Sequence, residues 1–286
     1  MPVMRNHALI DASDLARRLS DRQWVIVDCR FSLAEPDAGE AAYRRAHIPG
    51  ARYAHLDHDL ARIPGSREGR HPLPTPADFA DRLGAWGIDN DCVVVAYDDS
   101  SGAIAARLWW MMLWLGHSES LVLDGGFSAW QALDLPLETR LPVWTPAQFV
   151  PRVDRDASVS SGEIAALQES GSIVIDARAA ARFRGEQEPI DPVAGHVPGA
   201  HNWPFSRSLA ASGRFREPAD LKRDLTKLIG SRSSKEVIAM CGSGVTACHV
   251  LLAMAVAGLG NGRLFAGSWS EWIRDPARPI RTGADP

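Results

Sequence analysis

The chain has 286 residues, 45% hydrophobic and 23% charged, with a formal net charge of −4. That length suits two domains of ordinary size. The slight acidic balance argues against a nucleic-acid or membrane-surface partner, and no apolar run approaches the roughly 20 residues that cross a bilayer.

The opening stretch, MPVMRNHALI, lacks the apolar segment and small-residue cleavage site of an export signal. The four cysteines, Cys29, Cys92, Cys241 and Cys248, are too scattered for a disulfide framework and form no C-x-x-C pair. A cytoplasmic setting with reduced thiols is therefore expected.

In chain order, Trp24–Arg30 (WVIVDCR) is a β-branched run ending at an acid, the pattern of a buried parallel strand. Ala46–Ala51 (AHIPGA) carries a Pro-Gly turn after His47. Thr75–Gly87 (TPADFADRLGAWG) reads as a helix, with a capping Thr, Pro at the first helical position and a closing Gly. Val93–Gly102 (VVVAYDDSSG) is a second strand running into a turn. Arg107–Gly116 (RLWWMMLWLG) is an aromatic-rich helix whose Trp109, Trp110 and Trp114 are expected to fill core between two halves. Cys29, Cys92 and Cys248 are read as core too. The Pro-containing segment Leu141–Asp154 is the expected linker.

Beyond it the same phrases return. SIVIDAR (Ser172–Arg178), GHVPGA (Gly195–Ala200), EVIAMCGSG (Glu236–Gly244) and LFAGSWSEW (Leu264–Trp272) repeat the three strand and turn phrases above and LDGGFSAW (Leu123–Trp130) in the same order, 142–149 residues later. The chain is a tandem duplication. Helices are expected at Ser160–Gly171 and, buried nearly all round, at Gly244–Gly260. Residues 1–145 and 155–286 are thus expected to form two α/β domains, each a mostly parallel sheet with helices on both faces. Asp28/Arg30, Asp176/Arg178, His47 and His196 occur in both halves, so they are expected to be structural braces.

Cys241 lies where a strand ends and a helix begins, the place where open α/β sheets put their chemistry. Gly242 and Gly244 let backbone N–H groups converge there, and the following helix dipole also favours an anion. On local sequence alone, a low-pKa nucleophile and an inert thiol in a tight turn are equally good readings. The duplication separates them: the first-half equivalent of Cys241 is Asp98, so one half carries a thiol at this point and the other does not.

With VDCR/IDAR, HIPGA/HVPGA, LDGGFSAW, RFRGE and CGSGVTA all present, the chain resembles the tandem rhodanese-domain sulfurtransferases over nearly its whole length. The CGSGVTA loop is similar to the 3-mercaptopyruvate sulfurtransferase form. Gly242 and Ser243 stand where thiosulfate-preferring members carry basic residues. The resemblance implies an inactive domain bearing Asp98 and a catalytic domain bearing Cys241. It also implies transfer of a sulfane sulfur from 3-mercaptopyruvate, through a Cys241 persulfide, to cyanide or to a thiol such as thioredoxin. It implies no metal and no organic cofactor. Thiosulfate:cyanide transfer is the alternative, and a non-catalytic binding or redox-sensing module is a second.

The site residues the resemblance implies are Cys241 with loop residues Gly242, Ser243, Gly244, Val245 and Thr246. Ser243, His71 in RHPLP and Asp57 in HLDHD would form a proton relay. Arg182 in RFRGE would grip the donor carboxylate bidentately. The second arginine of the mercaptopyruvate pattern falls on Asp191, so Arg184 or an arginine of the first half is expected to replace it. A Cys-x5-Arg phosphatase on the same fold is excluded by Ala247, and a P-loop enzyme by the absence of G-x-x-x-x-G-K-[ST].

Overall fold

The computed structural model describes residues 8–285. Residues 1–7, which hold most of the segment read above for an export signal, lie outside the described residues. The chain divides into two compact units. The first comprises Met1–Arg62, Leu73–Asp154 and Ala211–Arg214; the second comprises Ile63–Pro72, Arg155–Ala210 and Phe215–Pro286.

The first unit contains β1 (Leu9–Ile10), α1 (Ala12–Ala16), β2 (Trp24–Asp28), α2 (Ala38–Arg45) and β3 (Arg52–Tyr53). It continues with α3 (Pro76–Ala85), β4 (Val93–Tyr97), α4 (Ala105–Trp114), β5 (Ser120–Leu123) and α5 (Gly126–Ala132). Its strands pair in parallel in the order β1-β5-β4-β2-β3. The second unit contains β6 (Ser158–Val159), α6 (Ile164–Glu169), β7 (Ile173–Asp176), α7 (Ala180–Phe183) and β8 (Ala200–Asn202). It ends with α8 (Pro218–Ile229), β9 (Val237–Met240), α9 (Thr246–Val256), β10 (Arg263–Phe265) and α10 (Ser268–Trp272). Its order is β6-β10-β9-β7-β8, again all parallel, so the duplicated phrases build the same five-stranded sheet with helices around it.

Local chemistry sets the helix boundaries. Thr75 Oγ1 accepts the Asp78 N–H at 3.1 Å, Pro76 opens α3, and Gly87 (φ +73°) follows its end. α6 starts later than the sequence suggests, because the Glu163 carboxylate takes the Ser160 N–H and hydroxyl in a tight turn. α9 starts at Thr246 rather than Gly244, because Gly244 has φ +77° and cannot join a right-handed helix. Cys29 lies one residue past β2 and Cys92 one residue before β4. Both are buried, as are Cys248, Trp109, Trp110 and Trp114. Segment 141–154 has neither helix nor strand, yet it is laced to the first unit. Trp144 Nε1 donates to Ala85 O (2.6 Å), and the N–H groups of Ala147 and Arg152 donate to Gly84 O (2.9 Å) and Leu115 O (2.8 Å).

The repeated polar residues are braces. Arg30 binds Asp28 at 2.6 Å and donates to Ala46 O, while Arg178 binds Asp176 at 2.6 Å and donates to Gly195 O. His47 Nδ1 sits 2.7 Å from Tyr43 O, and His196 Nδ1 sits 2.8 Å from Phe183 O. Each histidine also stacks on the ring of the residue whose carbonyl it meets.

After β4, the buried Asp98 carboxylate fills its own loop. Oδ1 accepts the N–H groups of Ser100 and Gly102, and Oδ2 those of Ile104 and Ala105, all at 2.8 Å. Burial pushes the Asp98 carboxyl up, and these four donors pull it back. Asp98→Ala would strand buried donors, each worth roughly 1–3 kcal/mol when left unmade. Chemical denaturation should show a loss of at least about 3 kcal/mol, and an unchanged midpoint would refute this role.

Candidate functional site

β9 delivers Cys241 to the carboxyl end of the second sheet, and the turn into α9 is fixed on both sides. The Cys241 N–H donates to Ser268 Oγ (3.0 Å), which in turn donates to Phe265 O (2.8 Å). The carbonyls of Cys241 and Gly242 accept the N–H groups of Trp269 (3.0 Å) and Ser270 (2.9 Å) at the start of α10. Ser268 pays for this with a left-handed backbone (φ +54°) that its repeat partner, Gly126 (φ +58°), adopts freely. Cys248 Sγ donates to Gly244 O at 3.3 Å, so this second thiol braces the turn from α9. Val245 is buried, and Thr246 opens α9.

Cys241 is only 2% exposed, Ser243 7% and His71 5%. His71 Nδ1 lies 2.7 Å from Ser243 Oγ, across 172 residues of sequence. The pair meets because segment Ile63–Pro72 belongs to the second unit, although both of its sequence neighbours belong to the first. Gly69 approaches so closely that a Cβ there would lie 2.4 Å from Gly267 O. The Arg70 N–H donates to Ser270 Oγ at 3.1 Å. Asp57 belongs to the first unit, where its N–H donates to His55 Nδ1 at 3.1 Å.

A charged cluster stands over the turn. A Cβ on Gly242 would lie 2.9 Å from Arg70 Nη2, and 3.6 and 3.7 Å from Arg182 Nη2 and Nη1. Arg182 Nη2 reaches Glu188 Oε1 at 2.7 Å and Asp191 Oδ2 at 3.1 Å. Asp191 also pairs with Arg70. Burial works against ionised Glu188, but donation from Arg182 and from the Asp191 and Ile190 N–H groups lowers its pKa. Burial opposes the Arg178 charge, yet Asp176, with Glu188 and Cys241 adding, raises its pKa. Arg184 is not brought here; it pairs with Glu186 at the surface. Among the described residues, no group of three or more His, Cys, Asp or Glu side chains could hold a metal ion.

The sequence reading thus named Cys241, the loop, Ser243, His71 and Arg182, which the structure gathers. It did not name Glu188 or Ser268, and it anticipated Arg70 only as an unspecified arginine of the first half. The signal for Arg70 was present: it directly precedes His71, and Asp191 offers the opposite charge at the position where an arginine was expected.

The turn admits little change. Gly244 combines φ +77° with a backbone so close that a Cβ would stand 2.3 Å from Ala266 O. Gly244→Ala should cost about 2 kcal/mol or more of stability and blunt Cys241 reactivity. Denaturation and iodoacetamide labelling together check both, and wild-type values for either would contradict the geometry.

Comparison with known proteins agrees with this architecture. The rhodanese-like domain family matches residues 11–133 and 160–275, once in each half. A probable 3-mercaptopyruvate sulfurtransferase of Pseudomonas aeruginosa is 46% identical over 98% of this chain and 100% of its own. A thiosulfate sulfurtransferase of Gallus gallus is 34% identical over 87% of this chain and 86% of its own. Among solved structures, 3-mercaptopyruvate sulfurtransferase from Leishmania major superposes with a TM-score of 0.83 at 32% identity, covering 95% of this chain and 75% of that one. Among the described residues, no helix is long and apolar enough to cross a membrane. The chain belongs to the rhodanese family, with two rhodanese-like domains in tandem.

Proposed function

We propose that the protein is a 3-mercaptopyruvate sulfurtransferase working through Cys241. The observation that carries this reading is the 2.7 Å approach of His71 Nδ1 to Ser243 Oγ, two residues from the thiol. A thiosulfate enzyme expels sulfite, which leaves as a stable anion. A mercaptopyruvate enzyme must expel a carbon leaving group, and that group needs a proton. A hydroxyl paired with an imidazole beside the nucleophile supplies one.

The steps balance as follows. The Cys241 thiolate attacks the donor sulfur, the S–S bond forms and the C–S bond breaks. The electron pair stays on carbon as the enolate of pyruvate, and the proton that the donor thiol gives up as the anionic persulfide forms passes through Ser243 and His71 to that carbon. Arg182, whose Nε and Nη2 are held by Glu188 and Asp191, meets the donor carboxylate through Nη1. Backbone N–H groups of the Gly242–Thr246 turn stabilise the anionic sulfur on Cys241. A nucleophilic acceptor, cyanide or a thiolate such as that of thioredoxin, then takes the outer sulfur and releases the Cys241 thiolate. Among the described residues no disulfide forms, which supports the reducing cytoplasmic setting expected from the sequence. The relay proposed here uses only the pair within the second unit.

Incubation with 3-mercaptopyruvate should add the mass of one sulfur atom to Cys241, with no addition in Cys241→Ala. The absence of an adduct from both 3-mercaptopyruvate and thiosulfate would end the sulfurtransferase reading. A kcat/KM that favours thiosulfate would replace the donor.

Ser243→Ala and His71→Ala should each lower kcat for mercaptopyruvate by roughly 10²–10⁴-fold. Discharge of a preformed persulfide to cyanide, which needs no enolate proton, should stay near wild type. Equal losses in both half-reactions would assign the pair a structural part.

A further inference from the structure

Outside the cluster around Cys241, the second unit has a concave surface that the sulfur chemistry does not use. It is a cleft of about 350 Å³, room for roughly ten waters, lined by Arg67, Glu271, Arg274, Asp275, Pro276 and Arg278. All six residues belong to the second unit, Arg67 through segment Ile63–Pro72. We propose that this cleft binds a compact polyanion bearing two phosphoryl groups, held between Arg67 and Arg274 over a floor made by Arg278.

Of the three guanidiniums, one is committed to the fold. Arg278 Nη2 donates to Ser161 Oγ at 2.7 Å, its Nε lies 3.7 Å from Asp275 Oδ2, and its guanidinium stands 5.3 Å from the centre of the Trp272 ring. Arg67 and Arg274 are exposed, and among the described residues neither guanidinium has a hydrogen-bond or ion-pair partner. The two carboxylates are turned elsewhere. Asp275 Oδ1 accepts the Ala277 N–H at 3.0 Å while Oδ2 faces Arg278. Glu271 folds back on its own helix, with Oε2 in the space that a Cβ on Gly267 would need. The Glu271 carbonyl is covered by the Arg274 N–H (3.0 Å) and Arg278 Nη1 (3.5 Å), so the negative end of α10 is met within the protein.

Three guanidiniums against two carboxylates leave the lining one positive charge in excess, with two forks open to a ligand. A fork matches phosphoryl oxygens bidentately. A single phosphate would engage one fork and leave the other, whereas a chain of two phosphoryl groups gives each fork its own oxyanion. Both forks are solvent-exposed, so screening weakens each contact and favours a group that carries more charge than a carboxylate.

The position gives occupancy a consequence. Arg67 lies on the segment that carries His71, and Arg274 lies just past α10. That segment already meets the helix twice: the Arg70 N–H donates to Ser270 Oγ, and Gly69 abuts Gly267. An anion that bridges Arg67 and Arg274 adds a third tie.

Isothermal titration calorimetry with inorganic pyrophosphate at low ionic strength tests the site. Wild type should bind one pyrophosphate per chain. Inorganic phosphate should bind about tenfold more weakly, and Arg67→Gln and Arg274→Gln should each weaken pyrophosphate about tenfold, the low end for a lost hydrogen bond to a charged group. Arg67→Lys, which keeps the charge but not the fork, should fall between. Arg182→Gln separates this cleft from the cluster over Cys241 and should leave pyrophosphate affinity unchanged. Circular dichroism checks that each variant is folded. Bound pyrophosphate should also slow tryptic cleavage after Arg62, at the exposed start of the segment. No binding by wild type, unchanged affinity in both Arg67→Gln and Arg274→Gln, equal affinity for phosphate, or a loss in Arg182→Gln would overturn the site. Binding without protection of the bond after Arg62 would overturn the tie. None of these readouts involves mercaptopyruvate, so their outcome is independent of the donor reading.

Discussion

Asp176 and Arg178 are opposite charges two residues apart at the end of β7, each 3% exposed or less. Burial of such a pair is costly unless its remaining donors and lone pairs are met. Here the guanidinium binds the carboxylate through Nε and Nη2, gives Nη2 also to Gly195 O, reaches Glu188 with Nη1 and lies over the Trp269 ring at 4.7 Å. Each of those contacts leads outward to the site. Glu188 holds Arg182, and the Trp269 N–H holds the Cys241 carbonyl. The pair therefore fixes the floor on which both the Cys241 thiol and Arg182 stand.

The first unit keeps the same floor without the thiol. Arg30 binds Asp28, donates to Ala46 O and lies over Phe127, the counterpart of Trp269. At the Cys241 position it has Asp98, whose carboxylate accepts four backbone N–H groups of the loop. The loop is thus closed by its own buried anion. The two copies thus share strand order and brace, with an aromatic ring under each brace arginine, and differ in what stands at the end of the fourth strand, Asp98 in one and Cys241 in the other.

What the sequence made legible was local or duplicated. The Thr75 cap, the strand runs, the Gly244 turn and the paired braces follow from short-range rules, and the repeat singled out Cys241 by contrast with Asp98. The start of α9 was misjudged by two residues, because a glycine can open a helix or break one and only its φ decides. Which first-half arginine would come near was hard to read, because Arg70 meets its partner Asp191 across 121 residues of sequence. Arg184 looked plausible because it shares a tripeptide with Arg182. One step along a helix end turns a side chain by about 100°, and two steps put Arg184 on the other side, beside Glu186.

Segment Ile63–Pro72 gives the duplication a history it cannot undo. It is encoded in the first half and spent in the second unit, where Gly69 abuts Gly267, Arg70 answers Asp191 and His71 meets Ser243. A polypeptide cut at the repeat boundary would retain Cys241 and Arg182, yet would leave Asp191 with half its cations and Ser243 without its imidazole. The half without the thiol thus lends side chains to the unit that has it, and the second half of the sequence alone would not carry the whole cluster around Cys241.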